Sequence, residues 1–132
     1  MITPRLEQLA RAMAQFEGWK PGGSSDGLHS NGTVAYRNHN PGNLRASIFA
    51  LGERDEFAFF YNDATGFFAM LYDLMMKCQG KTVTNLTPDS TIAELIGVYS
   101  ASSGDELENY ISHVERMTNF SRSTAIGTLL DY

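Results

Sequence analysis

Apolar residues recur at Leu6, Leu9, Ala10, Met13 and Phe16, the three-and-four spacing that gives a helix one buried stripe, while Glu7, Gln8, Arg11 and Gln15 fall on the opposite side. Thr3 before Pro4 suits a helix start, because a threonine hydroxyl can cap free amides and proline is pre-set for the first helical position. The pattern predicts a helix from there to about Phe16 or Glu17. An amphipathic helix of this kind needs a core to cover its stripe. The chain's 132 residues are enough for one such core, and a single domain over 1–132 is expected.

Glu17 falls four positions after Met13, which places it within the apolar stripe rather than on the wet face. A carboxylate among apolar neighbours near a helix C-terminus has its ionised form disfavoured by desolvation and by the helix dipole, which makes it a natural proton donor. Glycoside cleavage needs such an acid, since the leaving alkoxide departs poorly until its oxygen is protonated. The same position also suits an ordinary helix end that turns back to solvent before Gly18.

Composition excludes several classes. With 42% hydrophobic and 19% charged residues the chain is expected to fold on its own. A net charge of -5 with no run of Lys or Arg argues against nucleic-acid binding, which rests on neutralising phosphates. Cys78 is the single cysteine, so it can form no intramolecular disulfide and is expected in the core. His29, His39 and His113 show no metal-ligand spacing, and no metal or cofactor is expected. No segment approaches the roughly 18 apolar residues needed to span a bilayer, and the N-terminus lacks a secretory pattern, so synthesis in the cytoplasm is expected.

Further along, residues 18–33 are rich in Gly and Ser and read as an exposed loop bordering a cleft. Residues 34–48 contain Arg37-Asn38-His39-Asn40-Pro41-Gly42-Asn43-Leu44-Arg45, whose Asn-Pro-Gly-Asn centre is turn chemistry between two short strands. Phe57, Phe59 and Tyr61 suggest a strand, and Thr65 a cap for a helix over 66–79 that Gly80 ends. Thr91 with Glu94 and Ser103 with Glu106 form capping-box patterns for helices over 91–99 and 103–117, with a short helix over 123–130. The expected class is α+β, predominantly helical, with a small hairpin or ordered turn.

Taken in order, Phe16-Glu17-Gly18, the segment Arg37 to Arg45, Phe57 to Ala69, Thr91 to Tyr99 and Asn109-Tyr110-Ile111 resemble small phage and prophage proteins of the lysozyme-like superfamily, which includes lytic transglycosylases and goose-type lysozymes. The nine-residue turn segment is the specific element, and here His39 stands where the family pattern has Asn. The resemblance implies a lysozyme-like fold and Glu17 as catalytic acid. It also implies that Arg37, Asn40, Asn43 and Arg45 bind a glycan and that Tyr99 and Tyr110 line the site. Asn40 and Asn43 also fit a purely turn-shaping role, and each tyrosine fits the apolar stripe of its own helix. Trp19, next to the Glu-Gly pair, suits a sugar platform or a core anchor.

The implied substrate is the β-1,4 bond between N-acetylmuramic acid and N-acetylglucosamine in peptidoglycan. A hydrolase pairs its acid with a second carboxylate, and Asp26, Glu53, Asp55, Glu56 and Asp63 are candidates without a recognisable motif. A single-glutamate site resembles lytic transglycosylases, which is the favoured reading. The rivals are a hydrolytic lysozyme acting as an endolysin and a catalytically inactive virion structural or glycan-binding protein. Access to the wall then implies release from the cytoplasm, or delivery with other virion or secretion-machine proteins.

Overall fold

The computed structural model describes residues 2–19 and 33–131. The greater part of the 18–33 loop, with Asp26 and His29, lies outside the described residues. The architecture is α+β and mostly helical. Helices α1 (Pro4–Phe16), α2 (Val34–Arg37), α3 (Asp63–Cys78), α4 (Ile92–Ser100) and α5 (Gly104–Thr118) accompany one antiparallel hairpin of β1 (Gly52–Arg54) and β2 (Phe57–Phe59), and a 3-10 turn covers Ile126–Leu130. Among the described residues no helix is long and apolar enough to cross a membrane. The chain divides into two compact units, Met13–Leu71 and Met1–Ala12 with Tyr72–Tyr132.

In the unit formed by 1–12 and 72–132, Thr3 caps α1 as expected: its hydroxyl accepts from the Leu6 amide and donates to the Leu129 carbonyl. The α1 stripe residues Leu6, Leu9 and Ala10 are fully buried. Arg5 bonds the Thr128 carbonyl and lies over the Phe120 ring at 5.3 Å, and His113 meets the Ala12 carbonyl at 2.9 Å. The Thr91–Glu94 capping box forms in full. The one expected at Ser103 and Glu106 does not: Ser103 is fully extended, Gly104 turns left-handed at φ 59°, and Glu106 accepts from Ser102 instead. Helix α3 ends at Gly80 in a left-handed turn with Gly80 N donating to Lys77 O and Lys81 N to Met76 O, the paired bonds of a Schellman motif.

Cys78, expected in the core, is fully buried, and desolvation pushes its thiol up to about 12 against the opposing Lys77 charge. The native thiol should therefore resist a disulfide reagent such as DTNB at pH 8 and react as one equivalent on denaturation; rapid reaction of the native protein would contradict this burial. Because the folded value lies above the ordinary one, the unfolded chain ionises first, and Cys78 costs stability as pH rises from about 9 towards about 12.

Arg122 fastens the C-terminal segment onto α5. Its guanidinium makes two 2.8 Å bonds to Glu108 and bonds of 2.8 and 3.1 Å to Glu115, while its amide donates to Glu115 Oε2. These bonds hold the Glu108 carboxyl at about 2, below its ordinary 4.5, with Ser112 adding a further donor. A depressed folded value means the pairing contributes stability above the ordinary carboxylate range and loses it as pH falls through about 2. We expect the melting-temperature gap between the parent and Arg122→Gln to close between pH 5 and 2, and to narrow with salt because the pair is exposed. A gap independent of pH would show that Arg122 acts through packing alone.

In the unit Met13–Leu71, Ala58, Phe60 and Ala69 form a buried cluster with Leu44, Phe49 and Ala50 packed against it. The structure departs from the expected elements in several places, and its hairpin is formed by β1 and β2 rather than by strands flanking Asn40–Asn43. Residues 34–37 are helical rather than a strand, because the Thr33 hydroxyl caps them by accepting from Tyr36 N. Helix α3 starts at Asp63, three residues before expectation, because Asn62 rather than Thr65 is the cap: Asn62 Oδ1 accepts the Thr65 amide at 2.8 Å.

Candidate active site

Glu17 sits at the C-cap of α1. Its amide donates to Met13 O at 2.9 Å; Gly18 then turns left-handed at φ 99°, with Gly18 N bonded to Gln15 O and Trp19 N to Ala14 O. This is the Schellman arrangement that Glu-Gly-Trp supports, since glycine enters the left-handed region without a Cβ penalty. Glu17 is half-buried.

The Thr33 hydroxyl connects this helix end to the turn segment. Thr33 Oγ1 donates to the Gly18 carbonyl at 2.9 Å while accepting from Tyr36 N at 3.2 Å, so the cap of α2 also fastens the residue after Glu17. Helix α2 runs directly into Asn38 and the rest of the segment.

That segment is held by its own asparagines. Asn38 has no exposed surface; its side-chain amide donates to Arg54 O at 3.0 Å, its Oδ1 accepts from Arg54 Nε at 2.9 Å, and its carbonyl accepts the Phe60 amide. Asn40 is equally buried, its amide donating to Leu44 O at 2.8 Å and Ala58 O at 3.0 Å while Oδ1 accepts from Leu44 N at 2.9 Å. Together with Ala58 N to Leu44 O, these bonds lace the segment onto β2. The Asn40 amide is thereby spent on backbone groups inside the fold, the turn-shaping role that its place in the sequence also allowed. Asn43 N closes a β-turn on Asn40 O around Pro41 and Gly42, and Asn43 itself is left-handed at φ 52°. Its side chain is half-buried and its Oδ1 has no hydrogen-bond partner.

Around this core, His39 Nδ1 lies 2.9 Å from Asp63 Oδ1, joining the segment to the first turn of α3. Gly66, one turn along, packs so closely that a Cβ there would fall 1.8 Å from the His39 carbonyl oxygen. Arg37 approaches Asp55 at 3.4 Å, Arg54 also donates to Arg37 O at 3.1 Å, and Arg45 is exposed with its guanidinium 4.8 Å from the Phe57 ring centre. The hairpin turn that carries Asp55 and Glu56 has both residues left-handed, at φ 57° and 71°.

Of the sequence-predicted site residues, Glu17, Trp19, Arg37, Asn40, Asn43 and Arg45 all belong to Met13–Leu71. Trp19 is half-buried and its indole nitrogen, like Asn43 Oδ1, is buried without a partner. Tyr99 and Tyr110 belong to the other unit. Tyr110 is 1% exposed within α5, in keeping with the core role its helix stripe allowed. Tyr99 is half-buried with the Lys77 ammonium 5.7 Å from its ring centre. Of the candidate second carboxylates among the described residues, Asp55 is engaged by Arg37 and Asp63 by His39, while Glu53 and Glu56 are exposed. No set of three His, Cys, Asp or Glu side chains gathers as metal ligands among the described residues.

Sequence reasoning missed Thr33, Arg54 and Gly66, and weighed Asp63 only as a second carboxylate and not as the partner of His39. Thr33 alone carried a local signal, a hydroxyl three residues before the Tyr36 amide it caps. The chain matches no protein-family model, no curated protein and no solved structure.

Proposed function

We propose that the chain cleaves the glycan strands of peptidoglycan between N-acetylmuramic acid and N-acetylglucosamine, acting as a lytic transglycosylase with Glu17 as acid and then base. The observation that carries this reading is the Thr33 hydroxyl, which binds the Gly18 carbonyl and caps the helix leading into Arg37–Arg45. A proton donor and a rigid turn segment are thereby held by one short chain of bonds, as a positioned acid requires.

In the proposed reaction the Glu17 carboxyl gives its proton to the glycosidic oxygen as the C1–O bond breaks. The resulting carboxylate takes the proton of the muramoyl 6-hydroxyl as that oxygen closes on C1. The product carries a 1,6-anhydro ring and Glu17 regains its starting protonation, so no water is consumed. A hydrolase would need a second carboxylate, and the pairing of Asp55 and Asp63 with Arg37 and His39 favours the single-glutamate route. Arg37 and Arg45, at either end of the segment, suit contacts to carboxylates of the peptide stem.

The direct test is release of soluble fragments from insoluble peptidoglycan by the parent and by Glu17→Gln. Release by the parent alone supports the reading, and equal release by both removes Glu17 from the chemistry. No release by well-folded parent protein favours a binding or structural role.

A further inference from the structure

His39 is held from two sides by the first turns of α3. Its Nδ1 lies 2.9 Å from Asp63 Oδ1, and its carbonyl oxygen sits where a Cβ on residue 66 would fall 1.8 Å away. The residue is left-handed at φ 52°, a conformation that a non-glycine residue keeps only where its surroundings impose it. Towards the chain's start it is bonded just as closely to α2. Asn38 N, His39 N and Asn40 N donate to Val34 O, Tyr36 O and Ala35 O at 2.9, 3.2 and 2.8 Å, so consecutive carbonyls of α2 are taken by consecutive amides of the turn segment. At the other end of α2, Thr33 Oγ1 accepts from Tyr36 N and donates to the Gly18 carbonyl.

Helix α2 is therefore a short strut with α3 at one end and the residue after Glu17 at the other, all within Met13–Leu71. We infer that Asp63 and His39 are positioning residues: through α2 they fix the end of α1 that carries Glu17. The consequence for turnover rests on the glycan-cleavage reading, whereas the link itself can be read without it. Position 39 then has two requirements, a left-handed backbone and a donor nitrogen facing Asp63, since a carboxylate only accepts. Asparagine meets both, because its Nδ2 stands at the same place along the side chain as the histidine Nδ1, and glycine meets only the first.

Trp19 is the chain's single tryptophan and its amide is bonded to Ala14 O, so quenching of its emission by acrylamide reports how firmly the end of α1 is held. In the intact protein, His39→Gly and Asp63→Ala are expected to raise the quenching constant by about twofold and to lower kcat on peptidoglycan by roughly tenfold, with KM little changed. His39→Asn should stay near the parent in both readouts. Arg122→Gln lowers the melting temperature from the other unit and should leave Trp19 quenching at the parent's value. The link is overturned if His39→Gly and Asp63→Ala leave quenching unchanged, if Arg122→Gln raises it as much, or if His39→Asn is as damaging as His39→Gly. Raised quenching with undiminished cleavage overturns the positioning role. Raised quenching in the variants of a parent that cleaves nothing leaves the link standing and removes the cleavage reading.

Discussion

Gly66→Ala is expected to lower the melting temperature by about 10 °C, corresponding to a loss on the order of 3 kcal/mol. The cause is steric and local. A Cβ at position 66 would fall 1.8 Å from His39 O, 2.9 Å from His39 C and 3.0 Å from Pro41 Cδ. Two of these three atoms are backbone and the third is a proline ring, so no side chain can swing aside. Either α3 retreats or the turn segment is pushed off it, and the second outcome also breaks the 2.9 Å His39–Asp63 contact. Helix propensity runs the other way, since alanine is favoured over glycine in a helix by up to about 1 kcal/mol. Gly97→Ala supplies the control: a Cβ there meets only Leu107 Cδ2, at 3.7 Å, and the change should be neutral or mildly stabilising. If both substitutions behave alike in thermal melts, close packing of Gly66 on His39 is not what sets the distance between segment and helix.

Glu17→Gln is expected to reduce peptidoglycan cleavage by at least about 100-fold while leaving the melting temperature close to the parent's. Glutamine keeps the size of the side chain and removes its ability to give and take a proton. The bonds that close the helix end run between backbone atoms of Met13, Ala14, Gln15, Glu17, Gly18 and Trp19 and are kept by glutamine. Activity and stability therefore separate at this position, whereas Gly66→Ala should lower both.

Much of the helical framework was legible because its signals are local. Thr3-Pro4 opens α1, Gly18 closes it, Gly80 closes α3 and the Thr91–Glu94 box opens α4, each within a few residues of chain. The start of α3 was misread for a reason that concerns function: Gly66 looked like a helix opening, but it is a glycine inside the helix, required by the approach of the His39 carbonyl. No local pattern announces a partner that lies far along the chain. Strand β1 was unreadable on similar grounds. It has three residues, and its turn puts Asp55 and Glu56, neither of them glycine, into the left-handed region while Arg54 is bonded to Asn38 and Arg37. Ser103 shows the opposite failure, a capping pattern present in sequence but denied by the left-handed Gly104 beside it.

Within the candidate site, Glu17 was legible as an acidic position on an apolar stripe and Asn40 as turn chemistry. What the sequence withheld was the division of labour between like residues. Asn38 is consumed in holding Arg54 of β1 and Asn40 in holding Ala58 of β2 and Leu44, whereas Asn43 keeps its carbonyl uncommitted. That division depends on which groups the β1–β2 hairpin brings within reach, a property of the folded unit and not of the nine-residue string.

What leaves the glycan strand decides the chemistry, and mass spectrometry of the muropeptides released from purified peptidoglycan by the intact protein reads it directly. Transglycosylation by Glu17 predicts fragments ending in 1,6-anhydro-N-acetylmuramic acid, lighter by one water than hydrolysis products, and absent with Glu17→Gln. Reducing-end fragments, or anhydro fragments that persist in Glu17→Gln, would contradict it.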